Sequence, residues 1–543
     1  MIWFVRDFDL LALLLRALSF SLEALTLGAI FFLLVAARPS GLAADAQSHL
    51  RRIASRFALA LVVIQFALIA TTSAELMSSA GLPFRELLSA SYFLSGGIFA
   101  AASFALFLLL RFTARLIPST ACAAIALAAS VSLSHAASRM DHRALLFAAT
   151  ALHHLGMAAW LGALPFLLIA IRLTTDGEVS LSLSRRFSTM ALTSVCVLVL
   201  AGALLAWDYT GSWQGLYGSS YGILLSAKII LTALILVFGA ANFTALRNIV
   251  GPYLFYLRRF SEVELILGFT VVLAAASLTA QSPPVDQMPQ DMLSGRAVLA
   301  RMTPRWPSFR TPDLAQLTPP TPLSVAVREA TFTGGSASDF NDRAWSEYNH
   351  HWAGLIVLVV GLLAMVARLP HQRWAQHWPL LFLALAAFIL LRADPECWPL
   401  GPRPFWRSFT APDVLEHRLF ALLIVLFALF EWSVRTGRLS WTPARYVFPV
   451  ICAAGGALLL THTHSLGDGT DEVFAELSHT PIAILAALAG AARWLELRLE
   501  VQPGSPDPAT PDPAPRQARR ITARIWPLCF LLIGLLLLNY RES

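Results

Sequence analysis

The chain has 543 residues, of which 57% are hydrophobic and only 13% charged, about half the charged share of an ordinary soluble domain. So few charges cannot cover a water-soluble protein of this length. The net charge of +7 is scattered through short loops with no basic stripe or recognition motif, so it carries no nucleic-acid footprint.

The apolar residues come in about fourteen blocks of roughly 20 residues, each long enough to cross the hydrocarbon core as a helix. The expected fold class is therefore an all-α polytopic membrane protein. The N-terminal MIWFVRDFDL lacks the positive flank and short apolar core of a secretory signal, which predicts an uncleaved first helix. Predicted helices are 10–37, 56–77, 91–110, 118–135, 144–171, 187–207, 221–243 and 261–281, forming an eight-helix domain over 1–281. Residues 282–346 are polar and Pro-rich and read as an extracytoplasmic linker or small ectodomain. A six-helix, His-rich domain follows over 347–543, with helices at 351–368, 377–393, 413–434, 446–464, 481–498 and 524–540. A second Pro-rich run, 501–515, reads as a cytoplasmic tether before the last helix.

Arginine sets the orientation. Among the first eight helices, one set of alternate loops carries Arg38, Arg51, Arg52, Arg56, Arg111, Arg115, Arg172, Arg185, Arg186, Arg247, Arg258 and Arg259, while the other carries only Arg6, Arg85, Arg139 and Arg143. The last six helices give the same sign, so both termini are expected outside. Cys122, Cys196, Cys397, Cys452 and Cys529 form no CxxC, which argues against a disulfide framework or thiolate metal site. No Walker loop, Gly-rich dinucleotide turn or nucleophile triad is present, and the expectation is a protein that is not an enzyme.

The 13 histidines are sorted by side. His135 and His142 fall at the outer end of the fourth helix. His350 and His351 open the ninth from outside, His417 opens the eleventh, His462 and His464 close the twelfth, and His479 precedes the thirteenth. His153 and His154 lie within the fifth helix, about 14 Å below its outer end. Carboxylates accompany the outer group: Glu347 one turn before His350, Glu416 beside His417, and an acidic loop with Asp468 and Asp471. Anionic loops concentrate cations at a site mouth, and imidazole with auxiliary carboxylate suits Cu, Zn, Ni or Fe. A single interfacial histidine is an ordinary polar cap, whereas a set drawn from three helix ends around one acidic loop reads as a metal site. His462 and His464 would share an ion only if their helix end unwinds, and of the adjacent His350 and His351 only one is expected to point inward. Thr480-Pro481 reads as an N-cap and first-turn proline, leaving His479 just outside its helix. Within the membrane, Glu23, Lys228, His153 and His154 are costly ionisable groups. Glu23 with Lys228 forms either a buried ion pair holding helices together or part of a transport path.

The run ALHHLGMAAWLGALPFL (151–167) resembles the signature helix of the copper-resistance protein D (CopD) family, in which a His precedes Trp-x-Gly by about two turns; His153, Trp160 and Gly162 match. Lys228 in LLSAKIIL, Asn242 and Pro252 in ANFTALRNIVGP, and Glu264 in LRRFSEVELILG match in order and spacing. The resemblance covers 1–281. It implies a multi-pass protein of the bacterial inner membrane that imports copper, with the lipid bilayer around it and a CopC-like periplasmic copper chaperone as partner. This chain departs from the pattern: it has no small copper-binding β-sandwich, few methionines, and Phe243 where the family shows arginine. The six-helix domain lies outside the match, so a copper role for its histidines rests on their placement alone.

The expected function is capture of copper, in an oxidation state left open, by His350, His351, His417, His462, His464 and His479. His153 or His154 would then receive the ion. The alternatives are a b-type haem electron carrier or oxidoreductase, with His417 and His462 as conceivable axial ligands, and an assembly factor that delivers copper to an oxidase without transporting it.

Overall fold

The computed structural model describes residues 8–248, 253–313, 337–409, 412–461, 470–500 and 513–541. Among them there is no strand, and 12 helices are long and apolar enough to cross a membrane. The protein is an all-α polytopic membrane protein. Large apolar side chains such as Val63, Phe66, Ile117 and Leu200 stand exposed on its helices, as lipid-facing residues must.

The helices that matter for function are α1 (Phe8–Phe32, continued by a π turn at Leu33–Ala37), α2 (Ala44–Ser79), α3 (Ser91–Phe112), α4 (Leu116–Val131) and α5 (Arg143–Met157). A π turn at Ala158–Gly162 joins α5 to α6 (Leu164–Leu173), followed by α7 (Gly177–Thr210), α8 (Ser220–Asn248) and α9 (Tyr253–Leu278). Then come α10 (Ala337–Val366), α11 (Leu381–Arg392), α12 (Pro412–Arg435), α13 (Val447–Leu459), α14 (Thr470–Arg498) and α15 (Pro513–Leu538).

Every predicted span has a helix, and two differ in kind from the expectation. With 16 residues, α4 is only about 24 Å long, short of the roughly 30 Å hydrocarbon core. Helix α12 begins with Glu416, His417 and Arg418 and ends on Glu431 and Arg435, so charge interrupts its apolar stretch at both ends. Helix α13 stops at Leu459, earlier than predicted, and places His462 and His464 outside the described residues. The start predicted at Pro481 is corrected most: α14 begins at Thr470 and runs through Pro481. The hydroxyls around the proline fold back onto the helix. Ser478 donates to the Phe474 carbonyl (3.0 Å) and Thr480 to the Glu476 carboxylate (2.9 Å), so both hydroxyls bond back within the helix and Thr480 caps no new start at Pro481. His479 is therefore a helical residue.

The chain forms two compact units, Met1–Leu293 with Ala457–Gly467, and Ser294–Gly456 with Asp468–Ser543. In the first, α1 is the central helix. It packs on α2, α9 and the π turn of the fifth span, and Ala24, Leu27, Ala29, Ile30 and Phe32 are buried. Helix α7 starts where the Asp176 carboxylate accepts the amides of Glu178 and Val179, and it ends on Gly211 with φ +62°, the left-handed conformation glycine adopts without cost.

Small residues set how closely α1 approaches the π turn. A Cβ on Gly162 would lie 1.9 Å from the Ala24 carbonyl oxygen, and one on Gly28 would lie 2.3 Å from the Gly162 carbonyl carbon. Membrane helices gain no hydrophobic drive from packing on each other, so such close backbone contact is what holds them.

The second unit is built around Trp378, Trp526 and Phe448, with Val360, Ala428 and Cys529. Gly354, Gly361 and Gly534 let α10 and α15 meet at backbone distance.

Candidate metal-handling site

Glu23, Thr26 and Phe20 fall three residues apart on α1 and so share a face. His154, on α5, meets that face. Its Nδ1 lies 3.5 Å from Glu23 Oε1, and its ring stands edge-on to Phe20 at 5.8 Å. The other Glu23 oxygen accepts the Ser130 hydroxyl of α4 at 2.8 Å. Glu23 is 1% exposed. Three buried polar atoms in this cluster lack a hydrogen-bond partner: Glu23 Oε1, Thr26 Oγ1 and His154 Nδ1. Glu23 thus takes its contacts from His154 and Ser130 and not from Lys228, and the alternative in which Glu23 and Lys228 staple two helices is set aside. Ser130 had no sequence signal, because its role depends on α4 crossing α1.

An ion bonded to both Glu23 Oε1 and His154 Nδ1 at about 2.1 Å would see them about 110° apart, close to the tetrahedral angle. The pair faces the interior of the first unit and can hold a cation on two side chains.

His153, the next residue, turns the other way. Its Nδ1–H donates to the Leu198 carbonyl of α7 at 3.1 Å, and its ring packs over Gly202, where a Cβ would come within 3.1 Å. A histidine held at Nδ1 by a carbonyl keeps its lone pair on Nε2, the usual preparation of a metal ligand. Lys228 of α8 is within electrostatic reach of this ring.

The remaining motif residues converge on a second buried carboxyl group. Glu264 of α9 is 3% exposed. It accepts the Asn242 amide of α8 at 2.7 Å, and the Trp160 indole is near enough to act on it electrostatically. Trp160 stands in the π turn, where the extra residue of the wider coil re-aims side chains relative to the α-helix on either side. The Trp-x-Gly pattern therefore has two physical meanings: Trp160 reaches Glu264 on one side, and Gly162 admits α1 on the other.

In the second unit, the histidines divide. His350 and His479 come together, with ring centroids 5.9 Å apart, and His350 stacks on Tyr540 at 3.7 Å. Each donates Nδ1–H to the carbonyl four residues back on its own helix, Ser346 for His350 and Ala475 for His479, both at 2.8 Å. His351 is occupied at both nitrogens: Nδ1 accepts the Ser308 amide and Nε2–H donates to the Tyr540 carbonyl, each at 3.0 Å. That makes His351 a strut rather than a ligand. His417 pairs with Asp394, Nδ1 to Oδ1 at 2.6 Å, a partner the sequence did not suggest. Glu347 neighbours Arg541, and Glu416 is exposed on α12. His462, His464 and Asp468 lie outside the described residues, as does the side chain of Asp471. Among the described residues no group of three or more His, Cys, Asp or Glu is placed to hold a metal ion. Burial pushes the Cys397 thiol, in the loop beside Asp394, up to about 12, so no thiolate stands ready there at neutral pH.

His135, between α4 and α5, donates Nε2–H to the Thr279 carbonyl at 3.1 Å. Burial pulls its pKa below the ordinary 6.5, and the Thr279 bond only partly opposes this. The folded protein then binds fewer protons than the unfolded chain below pH 6.5, so stability present above that pH is lost as pH falls through it. Thermal melting of the purified protein from about pH 7.5 to about 5.5 is expected to show a drop that His135→Asn reduces. An unchanged drop would discount His135 as its source.

Comparison with known proteins finds sequence similarity over part of the chain. The sequence model of a family described as Copper resistance protein D matches residues 181–278, which span α8 and α9 and include Lys228, Asn242 and Glu264. Copper transport protein CutJ of Bacillus subtilis (strain 168) is 27% identical over 150 residues, 27% of this chain and 27% of that protein. The matched region is thus about a quarter of the relative's length. No solved structure matches.

Proposed function

We propose that this chain handles copper in the bacterial inner membrane, taking the ion at the outer face and carrying it inward, as a carrier and not an enzyme. The observation that carries the proposal is the meeting of Glu23 Oε1 and His154 Nδ1 at 3.5 Å, both buried and both without a hydrogen-bond partner. A buried, unsatisfied donor–acceptor pair is costly and is retained where it serves function. The resemblance to a copper transport protein supplies the identity of the ion.

A transported ion must be held firmly enough to enter and loosely enough to leave. Two side chains at the Glu23–His154 station suit an ion in transit. Release is favoured because the station offers no closed shell of the kind that traps a structural metal. His350 and His479 are the candidates for capture. Their Nδ1 atoms are bonded to backbone carbonyls, which fixes the rings, and the two rings stand against each other. A copper chaperone would dock at the same face, next to these residues.

The test compares cellular copper accumulation with copper flux in proteoliposomes. Glu23→Gln and His154→Ala are expected to lower both at least tenfold while the melting temperature stays within a few degrees of wild type. His350→Ala with His479→Ala is expected to raise the external copper concentration needed for half-maximal flux. Wild-type flux in Glu23→Gln and His154→Ala would sink the transport path. External copper binding with no flux in the wild type would favour a protein that presents copper without moving it.

A further inference from the structure

At one end of the second unit lies a cavity of about 330 Å³ lined by Arg368, Arg435, Arg445, Arg493 and Arg519 together with Glu431 and Glu496. The arginines come from the ends of α12, α14 and α15 and from the segments after α10 and before α13, so five elements bring charge of one sign to one place. Their pairing is incomplete. Arg368 and Arg493 share Glu496, Arg435 holds Glu431 at 2.7 Å, and Arg445 and Arg519 share Glu500. Among the described residues, two guanidinium charges are left over.

The surplus shows at the level of atoms. Arg435 Nη2 and Arg493 Nε are buried with no acceptor, and Glu431 Oε2 is buried with no donor. The Arg435 guanidinium cannot swing away to find one. It lies over the rings of Trp378 at 4.5 Å, Trp526 at 5.3 Å and Phe448 at 5.7 Å, a stacked position that fixes it facing the cavity. Arg435 and Arg493 are each 14% exposed at the floor, whereas Arg445 and Arg519 are 41% and 46% exposed, so the floor is reached from solvent through the outer pair.

We propose that this cavity binds a phosphate group, as the hydrogen-phosphate dianion or as a phosphate monoester. Two negative charges match the two uncompensated guanidiniums, and planar guanidinium forks suit phosphate oxygens in bidentate fashion. On the hydrogen-phosphate dianion the hydroxyl on phosphorus also supplies the donor that Glu431 Oε2 lacks; a fully ionised monoester brings the two charges without it. A sulfate dianion offers the same charge without that donor and binds more weakly. The volume is several times that of a phosphate ion and falls at the low end of ligand pockets, leaving room for the group a monoester carries.

The same group occurs on soluble ligands and on anionic lipid headgroups, and the experiment separates the two sources. The full-length protein in detergent is titrated with inorganic phosphate and, in parallel, with sulfate. The same protein in nanodiscs containing phosphatidate, or phosphatidylcholine alone, is then examined for retained lipid by native mass spectrometry. Saturable phosphate binding near one per chain, at least tenfold tighter than sulfate, establishes a soluble ligand. Retention of phosphatidate with no phosphate binding establishes a lipid headgroup. In either case Arg445→Gln with Arg519→Gln should weaken binding at least tenfold with unchanged melting. Arg519→Gln alone, at the more exposed position, serves if the double variant fails to fold. Absence of both phosphate and phosphatidate binding in the wild type overturns the proposal, as does equal binding by the folded mouth variants.

Discussion

Gly162→Ala is expected to destabilise the first unit by about 3 kcal/mol or more, at or beyond the upper end of the usual range for overpacking a filled interior. The added methyl would meet the Ala24 carbonyl oxygen at 1.9 Å. That oxygen belongs to backbone and not to a side chain that can change rotamer, so α1 and the π turn must move apart as bodies. Separation there also opens the Glu23–His154 approach one turn away, and copper flux should fall with stability. Gly97→Ala and Gly239→Ala are the controls. A Cβ at either site meets nothing within 4 Å, and alanine is favoured over glycine in a helix by about 1 kcal/mol. Thermal melts of the four proteins test the claim; a Gly162→Ala protein as stable as the controls would refute the close crossing.

Trp160→Ala is the second large effect, expected at about 3–5 kcal/mol for loss of a buried aromatic side chain. Trp160 is 6% exposed, and its removal both empties volume in the π turn and takes the indole N–H away from the Glu264 carboxyl group. Trp160→Phe separates the two contributions. It keeps most of the ring and removes only the indole N–H, at a cost of about 1–3 kcal/mol for the unmet partner. An indole that donates to Glu264 makes the cost of Trp160→Phe together with Glu264→Gln fall short of the sum of the single costs. Strict additivity in the denaturation midpoints would show that Trp160 acts through packing alone.

Much of the fold was legible because a membrane helix announces itself by length and apolarity, and these are local properties. The positions of Trp160, Gly162, Asn242 and Glu264 were legible through their pattern, yet their purpose was not. That Glu264 gathers Trp160 and Asn242 depends on how α8 and α9 face the π turn, and periodicity carries no information about facing. Likewise Glu23 and Lys228 suggested each other by opposite charge and similar depth, whereas proximity favours His154 and Ser130. The outer histidines show the limit most clearly. Arginine counting assigns them a side of the membrane, but ring direction depends on the carbonyl or carboxylate each nitrogen finds. His350 and His479 are thereby turned toward each other, His351 is consumed by the backbone, and His417 is drawn to Asp394. Pro481 misled for a related reason: a proline usually marks a helix start, and here the Thr480 hydroxyl bonds back to Glu476 instead of capping a new helix.

The short α4 has a bearing on the lipid around the protein. Ser130, which holds Glu23, sits one residue before the end of a helix of about 24 Å, so the hydrocarbon beside it must thin or its flanking residues must reach outward. Thinning there shortens the dry distance between the nearer aqueous phase and the buried carboxylate. The acyl-chain length of the surrounding bilayer thus sets how far from water that carboxylate lies, a quantity written into the membrane rather than into any side chain.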